Sequence, residues 1–173
     1  MFDEILGKPA HPLLIHAAVV FVPLLVGFAL AYALVPFVRR FTWWIVIGLA
    51  VIAPFAAWFA TISGNRLRTR LAAGGISPDV LRNIDVHRDW GDKRLWATVG
   101  LAVLSAALVA LNMLRRPATG TGDGDAPGGT PAARSTGSMV LTIVVTVALV
   151  VFAGFSAYYV FKTGDSGAHT VWG

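Results

Sequence analysis

A chain of 173 residues that is 56% hydrophobic and 13% charged, with a mean hydropathy of +0.70, lies far from soluble composition, where charged residues approach roughly a quarter. The net charge of +5 and pI near 10.2 come from arginines set beside apolar segments rather than on a basic face interleaved with aromatics, which argues against nucleic acid and for the lipid bilayer as partner. Cysteine is absent, which excludes disulfides, thiolate metal sites and iron–sulfur ligation by this chain and leaves His, Met or oxygen ligands for any metal or haem.

The N-terminus lacks the basic, apolar, small-residue order of a cleaved signal peptide: Asp3 and Glu4 precede Lys8, and the apolar run that follows is too long. The first helix is therefore expected in the mature protein. It starts at His11-Pro12, with proline at a position whose N–H would be unpaired anyway, and runs over 11–38. Pro23 should kink it. After a tight turn at Arg39-Arg40, helix two covers 41–62, with Trp43 and Trp44 as interfacial aromatics, Pro54 as a second kink and Ser63-Gly64-Asn65 as its end.

The stretch 65–94 is too polar to span. It carries an N-cap and first-turn proline at Ser77-Pro78, after which Val80, Ile84 and His87 recur on one helical face. This predicts a short amphipathic helix lying on the bundle mouth. Helix three follows over 95–114 and stops at Arg115-Arg116-Pro117. Residues 117–138, rich in Gly, Thr, Pro and Ala without periodicity, have the composition of a disordered linker. Helix four covers 139–161, and a Gly-rich tail, 163–173, ends in Val171-Trp172, a pair suited to docking at the interface. No internal repeat stands out.

These segments predict an all-α fold: an integral membrane four-helix bundle, with a short amphipathic helix before helix three. It forms one domain, divided into 1–114 (three helices), 115–138 (linker) and 139–173 (fourth helix and tail). Each apolar block reaches the roughly 18 to 20 residues needed to cross the hydrocarbon. Four crossings put both termini and the 65–94 loop on one side, so His11, His16, His87 and His169 share one end of the bundle. That side carries nine Lys/Arg against five opposite, which by the positive-inside rule makes it cytoplasmic.

The histidines are the residues that could carry chemistry. His11 and His16 are five residues apart, so their side chains differ by roughly 140° around the helix and form no i, i+4 chelate. His16 lies inside the apolar run, where an ionisable group is costly and marks a functional site by default. Alternatively it bonds a neighbouring helix through Thr61, Ser63 or Asn65 and only fixes packing. His11 is at the interface, as a ligand or merely as a cap of the first turn. His87 can fold over the mouth toward His16 as a bis-imidazole pair for haem b or a metal, or snorkel beside Trp90. His169, in the tail, reads as solvated.

Ala102, Ala106 and Ala110 on helix three and Gly154 on helix four suit close helix contact. Phosphate loops, HExxH, GxSxG and paired carboxylates in an apolar segment are all absent, and the spans hold no Asp, Glu, Lys or Arg. The sequence thus carries no hydrolase, kinase or ion-coupled transporter signature.

Four pieces together resemble a bacterial membrane family filed as domain of unknown function 2231. They are Gly7-Lys8-Pro9-Ala10-His11-Pro12 with His16 and Pro23; Thr61-Ile62-Ser63-Gly64; Val86-His87; and the tail from Gly164-Asp165-Ser166-Gly167-Ala168-His169 to Thr170-Val171-Trp172-Gly173. The resemblance covers nearly the whole chain except the linker. It implies association with Rieske or c-type cytochrome domains, to which related domains are fused, and hence membrane redox chemistry. Relatives often have His at the position of Asp165, and His169 is the histidine this tail offers instead.

Two functions are therefore expected to compete. One is a haem- or metal-binding subunit of membrane electron transfer, with His16 and His87 as axial ligands, His11 alongside, and a redox protein or membrane complex as partner. The other is a non-catalytic scaffold or assembly subunit with structural histidines.

Overall fold

The computed structural model describes residues 4–5, 8–114 and 136–172. A two-residue antiparallel pair, β1 (Glu4–Ile5) with β2 (Lys8–Pro9), precedes four long helices: α1 (Ala10–Leu34), α2 (Arg39–Ala73), α3 (Pro78–Leu114) and α4 (Thr136–Trp172). All four are long and apolar enough to cross a bilayer. The linker residues 115–135 and the side chains of His169, Val171 and Trp172 lie outside the described residues.

The boundaries differ from the sequence expectation in ways that follow from local chemistry. α1 stops at Leu34 rather than at 38, because Pro36 lacks an N–H and drives Val35 to an extended φ of −115° and ψ of 94°; Pro36–Val38 then forms a single 3-10 turn. Arg39 closes this end, donating from Nε to the Tyr32 carbonyl at 2.8 Å and from Nη2 to the Ala33 carbonyl at 2.7 Å. A cation on the last carbonyls of a helix satisfies their free lone pairs and its dipole. α1 and α2 run without a break through Pro23 and Pro54.

α2 does not end at Ser63-Gly64-Asn65 but continues to Ala73. There Gly75, at φ +77°, adopts the left-handed conformation that glycine tolerates, and the Ile76 N–H reaches back to the Leu71 carbonyl at 3.4 Å, the 6→1 bond of a Schellman stop. α3 begins at Pro78 as the Ser77-Pro78 signal implies. The amphipathic helix is not a separate element: it runs straight into the third span. The face carrying Val80, Ile84 and His87 continues as Gly91, Arg94, Thr98, Leu101, Ser105 and Leu108, all six buried. α4 likewise absorbs the tail to Trp172.

At 1.5 Å per residue the 35 to 37 residues of α2, α3 and α4 span about 52 to 55 Å, well beyond the roughly 30 Å of hydrocarbon. The helices therefore project past the bilayer. At the end that holds His11 and His87, the α2 and α3 extensions are tied by Arg68, which donates two parallel hydrogen bonds of 2.9 Å to Asp85.

Neighbouring helices pack in the cyclic order α1, α2, α3, α4, leaving α1 and α3 on a diagonal. The core is a stripe of small and medium residues, including Val22, Leu25, Ala53, Ala57, Leu101 and Leu149, while Val20, Phe55, Val103, Val147 and Val151 face outward. In lipid the exposed apolar surface carries no penalty, and close packing of small residues holds the helices together. The expected alanine seam on α3 is only partial, since Ala102 is buried but Ala110 exposed, and Gly154 is exposed too. The tight α3–α4 approach is instead at Gly100, where a methyl group would collide with the Phe152 ring.

Candidate functional site

The site forms where the four helices open beyond the core. His11, on the first turn of α1, and His87, on the extension of α3, both half-buried, line one cavity of about 540 Å³. Ile15, Val19, Leu71, Ile84 and Val160 give it apolar walls, and Asn65, Arg68, Arg88, Arg94, Thr163 and Gly167 add polar atoms or bare backbone. His16, five residues on, is exposed and does not line it. The structure thus brings together His11 and His87, and leaves His16 outside.

The two imidazoles are held in the same manner. His11 Nδ1 lies 2.9 Å from Ser63 Oγ, and Ser63 in turn donates to the Ala60 carbonyl at 2.9 Å. His87 Nδ1 lies 3.1 Å from Ser166 Oγ, and Ser166 donates to the Thr163 carbonyl at 3.1 Å. Each hydroxyl has a single proton, already given to its own helix, so each serine oxygen accepts from an Nδ1–H. The neutral tautomer that results leaves the lone pair on Nε2, the nitrogen a metal takes when the other is fixed by a hydrogen bond.

Each ring also rests on the glycine that follows its serine. A methyl group at Gly64 would sit 2.9 Å from His11 Cε1, and one at Gly167 would sit 3.1 Å from His87 Cε1. At Gly64 the imidazole occupies the space of a Cβ, and at Gly167 it leaves only a tight fit for one. The unit His, Ser, Gly therefore occurs twice, once on α1 with α2 and once on α3 with α4. This repeated contact is absent from the sequence reading, because so few identical residues carry it and the connections between them differ in length.

His11 lies ahead of the spanning stretch Leu14–Leu34. Burial, together with the nearby His87 and, more weakly, Arg94, pushes its pKa down to about 4, against a smaller opposing pull from the Ala60 carbonyl. At neutral pH it is an uncharged, ligand-competent imidazole.

Arg94 is the residue the sequence reading missed. It is one of the nine Lys/Arg on the histidine side, yet it lies seven residues beyond His87 on the same face and is 4% exposed. Among the described residues its Nε has no hydrogen-bond partner, nor does the buried Oδ1 of Asn65. The helical spacing from His87 was the available signal.

A family model described as "Predicted membrane protein (DUF2231)" matches residues 7–173. The chain belongs to this family. No curated protein and no solved structure matches it. In this DUF2231 protein His11, Ser63-Gly64, His87 and Ser166-Gly167 all fall in the segments that carried the resemblance, and His11, Gly64, His87 and Gly167 line the cavity. Asp165, one residue before Ser166, sits 3.6 Å from Lys162 on the same helix.

Proposed function

We propose that the cavity binds a b-type haem between His11 and His87, and that the protein is a subunit of membrane electron transfer. The observation that carries this reading is the pair of imidazoles from diagonal helices, each fixed through Nδ1 by a serine and each lining the same cavity. A porphyrin supplies four of its iron's ligands, so two histidines suffice. A bare ion fits less well: among the described residues no group of three or more His, Asp or Glu is placed to hold one. The cavity volume lies within the range of small-molecule sites, and its mostly apolar walls suit a macrocycle. His16, expected as an axial ligand, has no part in this proposal; His11 takes its place.

When bound, haem would supply one-electron redox chemistry; the protein holds the two imidazoles in a single tautomer. The positive-inside count supports a cytoplasmic position for this end, within reach of a soluble redox partner or a membrane complex. The scaffold reading draws on the same two hydrogen bonds, since each joins two helices.

A reduced-minus-oxidised absorption spectrum of protein purified from haem-replete cells separates them. The expected result is a b-type spectrum in the wild type and in His16→Ala, lost in His11→Ala and in His87→Ala. A colourless wild-type preparation would sink the haem reading and leave the scaffold.

A further inference from the structure

The charge around the cavity is one-sided. Arg68, Arg88 and Arg94 line it, and among the described residues no Asp or Glu does. Arg68 is already neutralised by its two hydrogen bonds to Asp85. Asp79 faces Arg82 and Asp165 faces Lys162, both away from the lining. Arg94 is different: it is buried, it borders the cavity, and its Nε meets no acceptor among the described residues. A guanidinium cannot shed its proton to escape such a place, so a buried one persists where something negative meets it. Asn65, which also lines the cavity, is a second unsatisfied group among the described residues, and its amide can be turned by 180° to present NH2.

We propose that Arg94, with Asn65 in the same cavity lining, receives an anionic oxygen group, a carboxylate or a phosphate, of the molecule that fills the cavity. The inference rests on the same site as the haem reading, where the group would be a porphyrin propionate; a lipid phosphate or a free phosphate would offer the same chemistry. Planar guanidinium matches either anion with two parallel hydrogen bonds, and a low-polarity surrounding strengthens both.

Protein isolated from haem-deficient cells is titrated with haem and with haem dimethyl ester, in which the propionates are uncharged. Wild type is expected to prefer haem by about tenfold, the effect of one charge-assisted contact. R94M should abolish that preference by weakening haem alone, and R94K should keep part of it. An equal preference in wild type and R94M, or none in wild type, overturns the proposal.

Should neither form bind, the haem reading falls, and the anion site is decided by thermal shift with inorganic phosphate and with phosphatidylglycerol against phosphatidylcholine. Stabilisation of wild type but not of R94M upholds it and names the source; the same response in both overturns it. The ligand-free Tm guards against misfolding. Removing an unpaired buried cation should leave R94M at least as stable as wild type, whereas a fall in Tm with an unchanged anion response would assign Arg94 to packing.

Discussion

The hairpins α1–α2 and α3–α4 share a register but not a chemistry. Counted from each histidine, the buried positions coincide: Ala18 answers to Arg94, Val22 to Thr98, Leu25 to Leu101, Ala29 to Ser105 and Tyr32 to Leu108. Counted back from each serine, Ala60 answers to Thr163, Ala53 to Ser156 and Val46 to Leu149. Apart from Ser63, every buried polar residue among those described lies in the second hairpin. Most of this polarity is silenced where it stands. Thr98, Ser105 and Thr163 donate to carbonyls four residues back on their own helices, at 2.8, 2.7 and 2.7 Å. The lesson is that size sets the frame, repeated in both hairpins, while of the three buried side-chain atoms left unsatisfied among the described residues, on Asn65, Arg94 and Ser156, the first two belong to residues that line the cavity.

The register can be broken most sharply at Gly100. By the same count it answers to Leu24, which is 42% exposed, yet Gly100 faces the Phe152 ring so closely that no Cβ fits. Gly100→Ala gains up to about 1 kcal/mol of helix propensity, but overpacking of this kind costs about 1 to 3 kcal/mol and should win. Leu24→Ala, facing outward, should stay within about 0.5 kcal/mol. Unfolding in detergent measures both, and equal losses would mean that the two hairpins pack alike.

A smaller difference separates the two glycines under the imidazoles. The methyl of Gly64→Ala would sit 2.9 Å from His11, too close to be absorbed, so the ring must move and strain its 2.9 Å bond to Ser63. At Gly167 the gap is 3.1 Å, and a shift of the His87 ring by a few tenths of an ångström suffices. Both variants gain the same propensity, up to about 1 kcal/mol. Gly64→Ala is therefore expected to lose stability by about 1 kcal/mol, and Gly167→Ala to be near neutral. Unfolding curves in which Gly167→Ala proves the worse variant would invert the assignment of the tighter clasp to α2.

The four spans were legible as apolar blocks, and the face of Val80, Ile84 and His87 as a period. What a linear reading could not supply was continuation. Ser63-Gly64-Asn65 and the Gly164 to Gly167 tail have the composition of helix ends, but packing against His11 and His87, with the Arg68–Asp85 clamp beyond, carries both helices on. Propensity is the weaker force there. The choice of His16 over His11 rested on depth in the apolar run; rotation matters more. His11 heads the buried stripe Ala18, Val22, Leu25, Ala29, and His16 is off it.

A third test is the pH dependence of the first histidine clasp. The folded chain holds His11 near a pKa of about 4, below its ordinary 6.5, because burial and the neighbouring His87 and Arg94 disfavour the cation. Above 6.5 the ring is neutral folded or unfolded, and its contribution is complete. As pH falls from 6.5 toward 4 the unfolded chain takes up a proton that the folded chain refuses, so stability declines across that window and levels off below it. Replacing His11 with glutamine removes the titration while keeping a polar side chain. The Tm of wild type should therefore fall more steeply between pH 6.5 and 4 than that of His11→Gln. Parallel curves would mean that the ring is solvated rather than clasped, and the likeness between the two hairpins would fail at the histidine that defines it.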